Sequence, residues 1–360
     1  MKFMSAVLVA GLCAAALPGA AAPVAPSSVD AALQRPAVPA RQAARAVLLG
    51  AAQAGGRVVA VGERGIVALS DDGGTSWHQA LTPVSVTLTA VRFADAQRGY
   101  AVGHGGTVLT TVDGGQSWTL RLDGRRIAQI EFEAARVSGD AAALKSAQAL
   151  QADGPDKPLL DVLVMDAKRV LVVGAYGLAL YTGDGGASWS SWRARMDNPK
   201  ELHLYALRQR GSHIVVAGEQ GLLLQSTDAG QSFRQLDSPY KGSFFTAELP
   251  SEHEIVVAGL RGNVWRSRDG GTTWAQLSSP VPVSITASAL RSDGSLIFAN
   301  QAGMVLGARD VALQPLSSGA LPPLSAVLPL GSGSVLALSI QGARRVELQA
   351  PTQAQKGQTP

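Results

Sequence analysis

The chain has 360 residues, of which 46% are hydrophobic and 16% are charged, with a formal net charge of +4. This composition excludes an intrinsically disordered protein, because such chains combine low hydrophobicity with high charge. Forty glycines without a collagen triplet predict many turns between short strands. The small positive charge permits an anionic partner without requiring one.

The first residues have the pattern of a secretory signal. A short positive start precedes an apolar run over 6–17, and small residues follow it. This predicts a signal peptide over 1–21 and export across the inner membrane. The single cysteine, Cys13, lies inside this segment; in an alternative lipoprotein interpretation it is acylated, but the bulky Leu12 before it disfavours that. The mature chain then has no cysteine, which excludes disulfides and thiolate metal sites.

The rest of the chain contains a repeated turn. Five segments share the pattern [ST]-x-D-x-G-x-[ST]-[WF], and their aspartates are 41, 71, 44 and 41 residues apart. The spacing of 71 residues is one repeat period plus an insertion. The aspartate and aromatic residue that recur in each turn are Asp72 with Trp77, Asp113 with Trp118, Asp184 with Trp189, Asp228 with Phe233, and Asp269 with Trp274.

A second signature, G-x-x-G after an apolar strand, precedes each of these turns. It begins at Gly62, Gly103, Gly174, Gly218 and Gly259, with degenerate copies at Asn300 and Ser339. Seven units with a period near 41 and about four strands each predict an all-β, seven-bladed propeller over residues 45–349.

The ends of the propeller are expected to meet. The last unit supplies only three strands before a polar tail, 350–360, which is expected to be disordered. Residues 22–44 are interpreted as a linker that contains the missing strand, over 29–40, so that both ends share one sheet. Pro36 and Pro39 fit an outer edge strand.

One insertion, 122–158, interrupts the pattern between blades two and three. Its apolar spacing and an Ala-rich stretch predict a helical hairpin. Its role is open between a functional element and a passive decoration.

The aspartates of the repeated turn are interpreted as structural. A short carboxylate accepts hydrogen bonds from the backbone of its own turn and from the Ser or Thr hydroxyl. The aromatic ring is expected to pack between neighbouring blades. Calcium ligation is the alternative, and it is disfavoured because each aspartate has a sufficient role in its own turn.

Partner binding is predicted on the face opposite these turns, where the G-x-x-G loops and the loops between blades emerge. Its mixture of charged and aromatic residues favours a protein partner over nucleic acid. The candidate residues are Glu63, Arg64, Arg92, His104, Tyr176, Glu219, Gln220, Tyr240, Arg261 and Gln301.

No motif for catalysis, cofactor binding or metal binding is found. The five histidines have no metal-ligand spacing, and no phosphate-binding or dinucleotide-binding glycine motif is present. The alternative is a secreted glycosidase or carbohydrate-binding propeller of the same repeat type. Four of the six tryptophans belong to the repeated turns, which leaves few for stacking on sugars.

The second unit reads LTAVRF at 88–93 and RGYAVGHGGTVLTTVDGGQSW at 98–118. It resembles the repeat of the photosystem II stability/assembly factor family, a group of Asp-box (BNR) propellers, over roughly 45–345. The resemblance implies a non-enzymatic factor in the periplasm, or in the lumen of a photosynthetic host, that binds a membrane protein or its assembly intermediate. The protein is expected to be a monomer. The resemblance also implies binding through an arginine-rich patch, for which Arg64, Arg92 and Arg261 are candidates by position, without a residue-by-residue match. Related proteins in hosts without photosystems accompany envelope transporters.

Overall fold

The computed structural model describes residues 28–319 and 321–349; the predicted signal peptide and the predicted disordered tail lie outside them. The described residues form seven antiparallel sheets, six of four strands and one of three, in chain order. Seven sheets fit the seven predicted blades. Within each sheet, neighbouring strands follow one another along the chain, so each blade is a simple meander.

The strands are lettered a to d from the axis of the propeller outwards. Blade one contains Leu48–Ala54, Arg57–Gly62, Val67–Ser70 and His78–Gln79. Blade two contains Leu88–Phe93, Gly99–Gly103, Val108–Thr111 and Thr119–Leu122. Blade three contains Leu159–Val164, Val170–Gly174, Ala179–Thr182 and Ser190–Ser191. Blade four contains Leu204–Arg210, His213–Gly218, Leu223–Ser226 and Arg234–Gln235.

Blade five contains Phe244–Glu248, Ile255–Gly259, Val264–Ser267 and Ala275–Leu277. Blade six contains Ile285–Leu290, Leu296–Asn300, Val305–Arg309 and Ala312–Pro315. Blade seven contains Leu324–Leu330, Ser334–Ser339 and Gly342–Glu347.

The central residues of the b strands are apolar because they are covered on both sides by neighbouring blades. Residues 58–61, Val-Val-Ala-Val, are all buried, with no alternation between the two faces. The glycine that ends this strand, Gly62, is required by close packing, since a Cβ there would lie 2.0 Å from the carbonyl oxygen of Val47. Gly65 closes the loop with a φ of +73°, a conformation that favours glycine.

Each repeated turn is closed by its own hydrogen bonds. The Asp113 carboxylate accepts bonds from the Ser117 amide (3.0 Å), the Ser117 hydroxyl (2.5 Å) and the Thr111 hydroxyl (2.7 Å). The same three bonds recur at Asp184, Asp228 and Asp269. The Trp118 ring donates to the Gly115 carbonyl (2.9 Å), and Gly115 lies against side chains of blade one. The turn therefore ties each blade to the preceding one.

Three blade boundaries are joined by hydroxyl groups at the same strand position. The second residue of strand a donates to a carbonyl oxygen of the next blade: Thr89 to Leu159 (2.7 Å), Thr286 to Leu324 (2.8 Å), and Ser325 to Leu48 (2.5 Å). The last of these joins blade seven to blade one. A shared apolar core containing Leu336, Leu338 and Val58 completes that boundary.

The prediction that 29–40 form the fourth strand of blade seven is wrong. Blade seven has three strands among the described residues. Residues 28–33 instead form a short helix, α1 (Ser28–Leu33), and 34–42 run along blade one. Pro36 and Pro39 have no N–H, so the segment makes isolated bonds rather than a ladder.

These bonds connect the segment to blade one. The Ala37 amide donates to the Thr82 carbonyl (3.2 Å), and the Ala40 amide donates to the Gln79 side chain (2.7 Å). The Ser85 amide donates to the Ala32 carbonyl (2.8 Å) at the end of α1. The segment therefore crosses the G-x-x-G face, and we call residues 34–46 the strap.

The insertion contains two helices, α2 (Gly124–Ser138) and α3 (Ala141–Asp153). Asp123 and Asp140 cap them by accepting bonds from the amides of Arg126 (2.9 Å) and Ala142 (2.8 Å). Gly139, with a φ of +71°, ends the first helix. No helix within 28–319 and 321–349 has the length and apolar character of a membrane span.

Candidate functional site

The G-x-x-G loops present one side chain in the same way on several blades. The third residue of the loop has a left-handed backbone conformation, with φ between +53° and +58° at Arg64, Tyr176, Gln220 and Arg261. All four side chains are exposed. A non-glycine residue in this conformation costs free energy, and such positions concentrate at functional sites.

The second residue of the loop has a different role in blades one and four. The Glu63 carboxylate accepts a bond from the Val47 amide (3.3 Å), and the Glu219 carboxylate accepts one from the His203 amide (3.2 Å). Both carboxylates therefore fix the start of strand a in their own blade. His104 and Gln301, at the same position in blades two and six, are exposed.

Four aromatic side chains form a row from the edge of this face to the central channel. The ring centroids of Tyr176 and His203 are 4.9 Å apart, those of His203 and Tyr205 are 6.1 Å apart, and those of Tyr205 and Phe245 are 5.5 Å apart. Tyr176 is 49% exposed, and the other three are half-buried. The row spans blades three, four and five and offers an apolar track with polar edges, which suits an extended peptide.

The row lies at the mouth of the channel because of its strand register. Tyr205 and Phe245 occupy the second position of strand a, within the bulge at its start. The residues at this position in the seven blades are Leu49, Thr89, Leu160, Tyr205, Phe245, Thr286 and Ser325, and all line the channel or join adjacent blades.

Cations surround the outer end of the row. The Lys157 ammonium lies 4.9 Å from the centroid of the Tyr176 ring. The Arg193 guanidinium donates to the Tyr176 carbonyl (3.2 Å) and pairs with Glu201 (2.6 Å). Glu201 in turn accepts a bond from Ser146 of α3 (2.8 Å). The helical insertion is thus connected to the loops that carry the row.

A buried carboxylate lies under the insertion. Glu131 of α2 is 4% exposed; one oxygen accepts a bond from the Ser191 hydroxyl (2.9 Å), and the other has no hydrogen-bond partner. Burial raises the pKa of Glu131 to about 7, and Arg193, 3.9 Å away, opposes this only in part.

The channel contains a chain of ion pairs between the innermost strands. Asp161 pairs with Arg92 (3.3 Å) and Arg208 (3.0 Å), and Arg208 also pairs with Glu248 (3.3 Å). Ser288 of blade six donates to Glu248 (2.9 Å). Both carboxylates are buried and paired, so the channel is a cross-linked core rather than an open acidic site.

The structure corrects the position of Arg92. Its side chain points into the channel from strand a and binds Asp161, so it does not belong to the loop face. Tyr240 packs edge-on against Phe244 at 5.9 Å and is half-buried. Tyr176 and Glu219 are brought together through His203, whose ring accepts a bond from the Tyr176 amide (3.1 Å). Arg64 and Arg261 lie on blades one and five, and no contact joins them in the described part of the chain.

His203, Tyr205 and Phe245 were not among the ten candidate residues, although the loops that contain them, 193–205 and 238–245, were predicted to lie on this face. Aligning the seven a strands on their first buried residue would have placed Tyr205 and Phe245 at equivalent positions. No group of three or more His, Cys, Asp or Glu residues that could hold a metal occurs within 28–319 and 321–349.

The fold and its repeated turns define the class of protein: a seven-bladed β-propeller of the Asp-box type. A family model described as "Photosynthesis system II assembly factor YCF48" matches residues 70–145 and 140–242. This match covers just under half of the chain, from the end of blade one to the end of blade four, so the chain is similar there to the photosystem II assembly factor family, as its repeat indicates. No curated protein matches the sequence.

Solved structures similar to the chain include YCF48 bound to D1 peptide, at 15% identity and a TM-score of 0.62, covering 87% of this chain and 96% of that one. YCF48 from Cyanidioschyzon merolae is 14% identical with a TM-score of 0.63, over 85% and 96% of the two chains. The GH74 xyloglucanase from Xanthomonas campestris is 14% identical with a TM-score of 0.59, over 85% and 52%. At these identities the likeness concerns the fold alone.

Proposed function

We propose that this propeller is a non-enzymatic factor that docks a segment of a membrane protein and helps to assemble or stabilise it. The observation that carries the proposal is the row Tyr176–His203–Tyr205–Phe245, which leads from an exposed rim to the channel mouth. A relative with the same fold is known bound to a D1 peptide, which supports a peptide-like ligand on a propeller of this kind. The proposed place of action is the periplasm, or the lumen of a photosynthetic host, and the proposed form is a monomer.

The charged groups around the row fit a segment that is partly polar. Lys157 and Arg193 lie beside Tyr176, while Glu201 and Glu219 lie within the same loops. Mixed charge with aromatic anchors is typical of protein interfaces. A phosphate backbone would instead require a run of unpaired cations, and Arg193 is paired.

Glycoside hydrolysis is disfavoured by the channel. Most glycosidases need one carboxyl group held protonated and a second one free to act as base or nucleophile. Asp161 and Glu248 both pair with Arg208, and Asp161 also pairs with Arg92. A panel of fluorogenic glycosides and a glycan array test this directly, and hydrolysis or saturable glycan binding by the wild-type protein would overturn the proposal.

The docking test is an affinity pull-down from detergent-solubilised envelope, read by mass spectrometry. Tyr176→Gln removes the exposed ring and keeps the backbone conformation, because Gln220 adopts the same left-handed φ of +53° at the equivalent position of blade four. We expect recovery of the partner to fall at least tenfold, since an aromatic anchor at an interface commonly contributes about 2 kcal/mol or more.

The matched control is Val112→Ala. Val112 is an exposed apolar residue in the repeated turn of blade two, on the opposite face. The Val112→Ala variant should recover as much of the partner as the wild-type protein does. Equal recovery by Tyr176→Gln and the wild type, with the same melting temperature, would exclude the aromatic row as the docking site.

A further inference from the structure

A cavity of about 630 Å³ lies between the strap and the G-x-x-G loop of blade one. Pockets that hold small molecules have volumes of about 300–1,000 Å³. Its walls combine apolar groups, including Val38, Pro39 and Ile66, with three arginines, Arg35, Arg45 and Arg64. It lies on blade one, apart from the aromatic row on blades three to five.

The charge of this cavity is not balanced by the residues that the structure describes. Glu63 is the only acidic residue among its lining residues, so the three arginines leave a net charge of +2. The Glu63 carboxylate is directed to the Val47 amide. No ion pair to Arg35, Arg45 or Arg64 is found among the described residues. A cavity with this charge attracts a dianion.

One of the three arginines is held by a side-chain contact, and the other two are positioned by their backbone. The Arg35 Nε donates to the Ser85 hydroxyl (3.3 Å), which leaves the two terminal nitrogens of the guanidinium free for a ligand. Arg64 extends from the left-handed position of its loop. Arg45 ends a short helical turn, Ala43–Arg45, closed by a bond from the Ala46 amide to the Ala43 carbonyl (3.2 Å). The strap and the loop thus hold the arginines at the same cavity.

We propose that this cavity binds a phosphate monoester. Such a group carries about −1.5 to −2 charges at neutral pH, which matches the net charge of the cavity. Guanidinium groups bind phosphate oxygens in pairs of parallel hydrogen bonds, so three arginines can hold the three terminal oxygens. The volume exceeds the need of a bare phosphate, so the apolar wall formed by Val38, Pro39 and Ile66 accommodates the organic part of the ligand.

The experiment is isothermal titration calorimetry of the full chain with phenyl phosphate. This probe carries a dianionic phosphate on an apolar ring. Inorganic phosphate tests the charge alone, and benzoate tests a single negative charge on the same ring. We expect phenyl phosphate to bind at least tenfold more tightly than either. A second assay uses phosphatidylcholine vesicles with and without phosphatidic acid. If the natural ligand is a lipid phosphate monoester, the protein should sediment with the vesicles that contain phosphatidic acid; if it is a free phosphate monoester, the protein should not sediment with either.

The test variant is Arg45→Gln with Arg64→Gln, and the control is Arg261→Gln. Gln220 shows that glutamine adopts the loop conformation of Arg64, and Arg261 occupies the same loop position in blade five without a strap above it. The double variant should lose at least tenfold in affinity for phenyl phosphate, with the control unchanged. Arg35→Gln, on the strap alone, should also weaken binding.

Three results would overturn the proposal. They are equal binding of phenyl phosphate by the double variant and the wild type, equal loss in Arg261→Gln, and tighter binding of an acidic peptide than of phenyl phosphate. None of them bears on the docking test, since Tyr176 is not part of this cavity.

Discussion

The hydroxyl of Ser325 donates a hydrogen bond to the carbonyl oxygen of Leu48 at 2.5 Å, across 277 positions of the chain. This bond joins the last blade to the first. It repeats the bonds from Thr89 to Leu159 and from Thr286 to Leu324 at other boundaries. The ring is thus closed here by the same contact that joins consecutive blades, and not by a strand borrowed from the other end.

Removing this hydroxyl tests the closure. Ser325→Ala should lower the free energy of unfolding by about 1 kcal/mol, the net contribution of one such bond. Thr89→Val and Thr286→Val remove the corresponding hydroxyl elsewhere and should cost a similar amount in urea unfolding. A loss several times larger for Ser325→Ala alone would show that the closing boundary depends on this bond in a way that the others do not.

Removing α1 and residues 34–39 of the strap should leave blade seven intact. A chain that begins at Ala40 lacks α1 and the bonds to Thr82 and Ser85, but it keeps the short turn that touches blade seven. Hydrogen exchange should rise at residues 82–85 and 104–106, which α1 and the strap cover. Exchange in the strand Gly342–Glu347 should not change. Faster exchange in that strand would restore the closing-strand hypothesis.

The repeated turns should contribute to stability and not to docking. Asp113→Asn replaces one carboxylate oxygen with a donor, so the bond from Ser117 Oγ or that from Thr111 is lost. We expect the free energy of unfolding to fall by about 1–3 kcal/mol, because hydrogen bonds to a charged acceptor are stronger than those between neutral groups. Asp310→Asn, at the degenerate turn of blade six, is the control and should change stability by less than about 0.5 kcal/mol. Reduced partner recovery by folded Asp113→Asn would assign a binding role to this turn.

Stability should depend on pH through Glu131. Its pKa is raised by burial to about 7 in the folded protein, above the unfolded value. The folded state therefore holds the proton more tightly, and the stabilisation is complete below the unfolded pKa and lost as the pH rises through about 7. The groups around the carboxylate are Ser191, Arg193 and Glu201.

Glu131→Gln keeps the shape and removes the charge. It should melt at a higher temperature than the wild type at pH 8 and at nearly the same temperature at pH 5. Glu133→Gln, on the exposed side of the same helix, should show no such pH dependence. Hydrogen exchange in α2 should report the difference locally. Identical pH profiles for Glu131→Gln and the wild type would mean that the carboxylate stays ionised in the folded state.

Sequence periodicity was sufficient for the blade count and for the strand order within a blade. The G-x-x-G glycines are dictated locally, since a side chain at Gly62 would collide with the Val47 carbonyl. The position of the N-terminal segment could not be predicted, because it depends on single bonds to Gln79 and Thr82 that have no repeat. The last repeat lacks a fourth strand, and this suggested that the N-terminal segment supplies it. In the structure, Leu336 and Leu338 pack against blade one and close the ring without a fourth strand.

The site was predicted only in part, for a related reason. Loop positions follow from the repeat, so Arg64, Tyr176, Gln220 and Arg261 were placed on the correct loops. The direction of a strand-a side chain depends on a bulge at the start of that strand. Simple alternation does not reveal the bulge. Arg92, which was assigned to the loop face by its position in the repeat, points into the channel instead.

The three-stranded blade has a consequence for the behaviour of the protein in concentrated solution. Its outermost strand, Gly342–Glu347, has six residues, whereas the outermost strands of blades one, three and four have two. A long unpaired edge is a template for self-association into fibrous aggregates. Exposed Arg344, Arg345 and Glu347 place charge along this edge. Replacing them with valine or threonine should leave the ring intact and cause the protein to polymerise edge to edge.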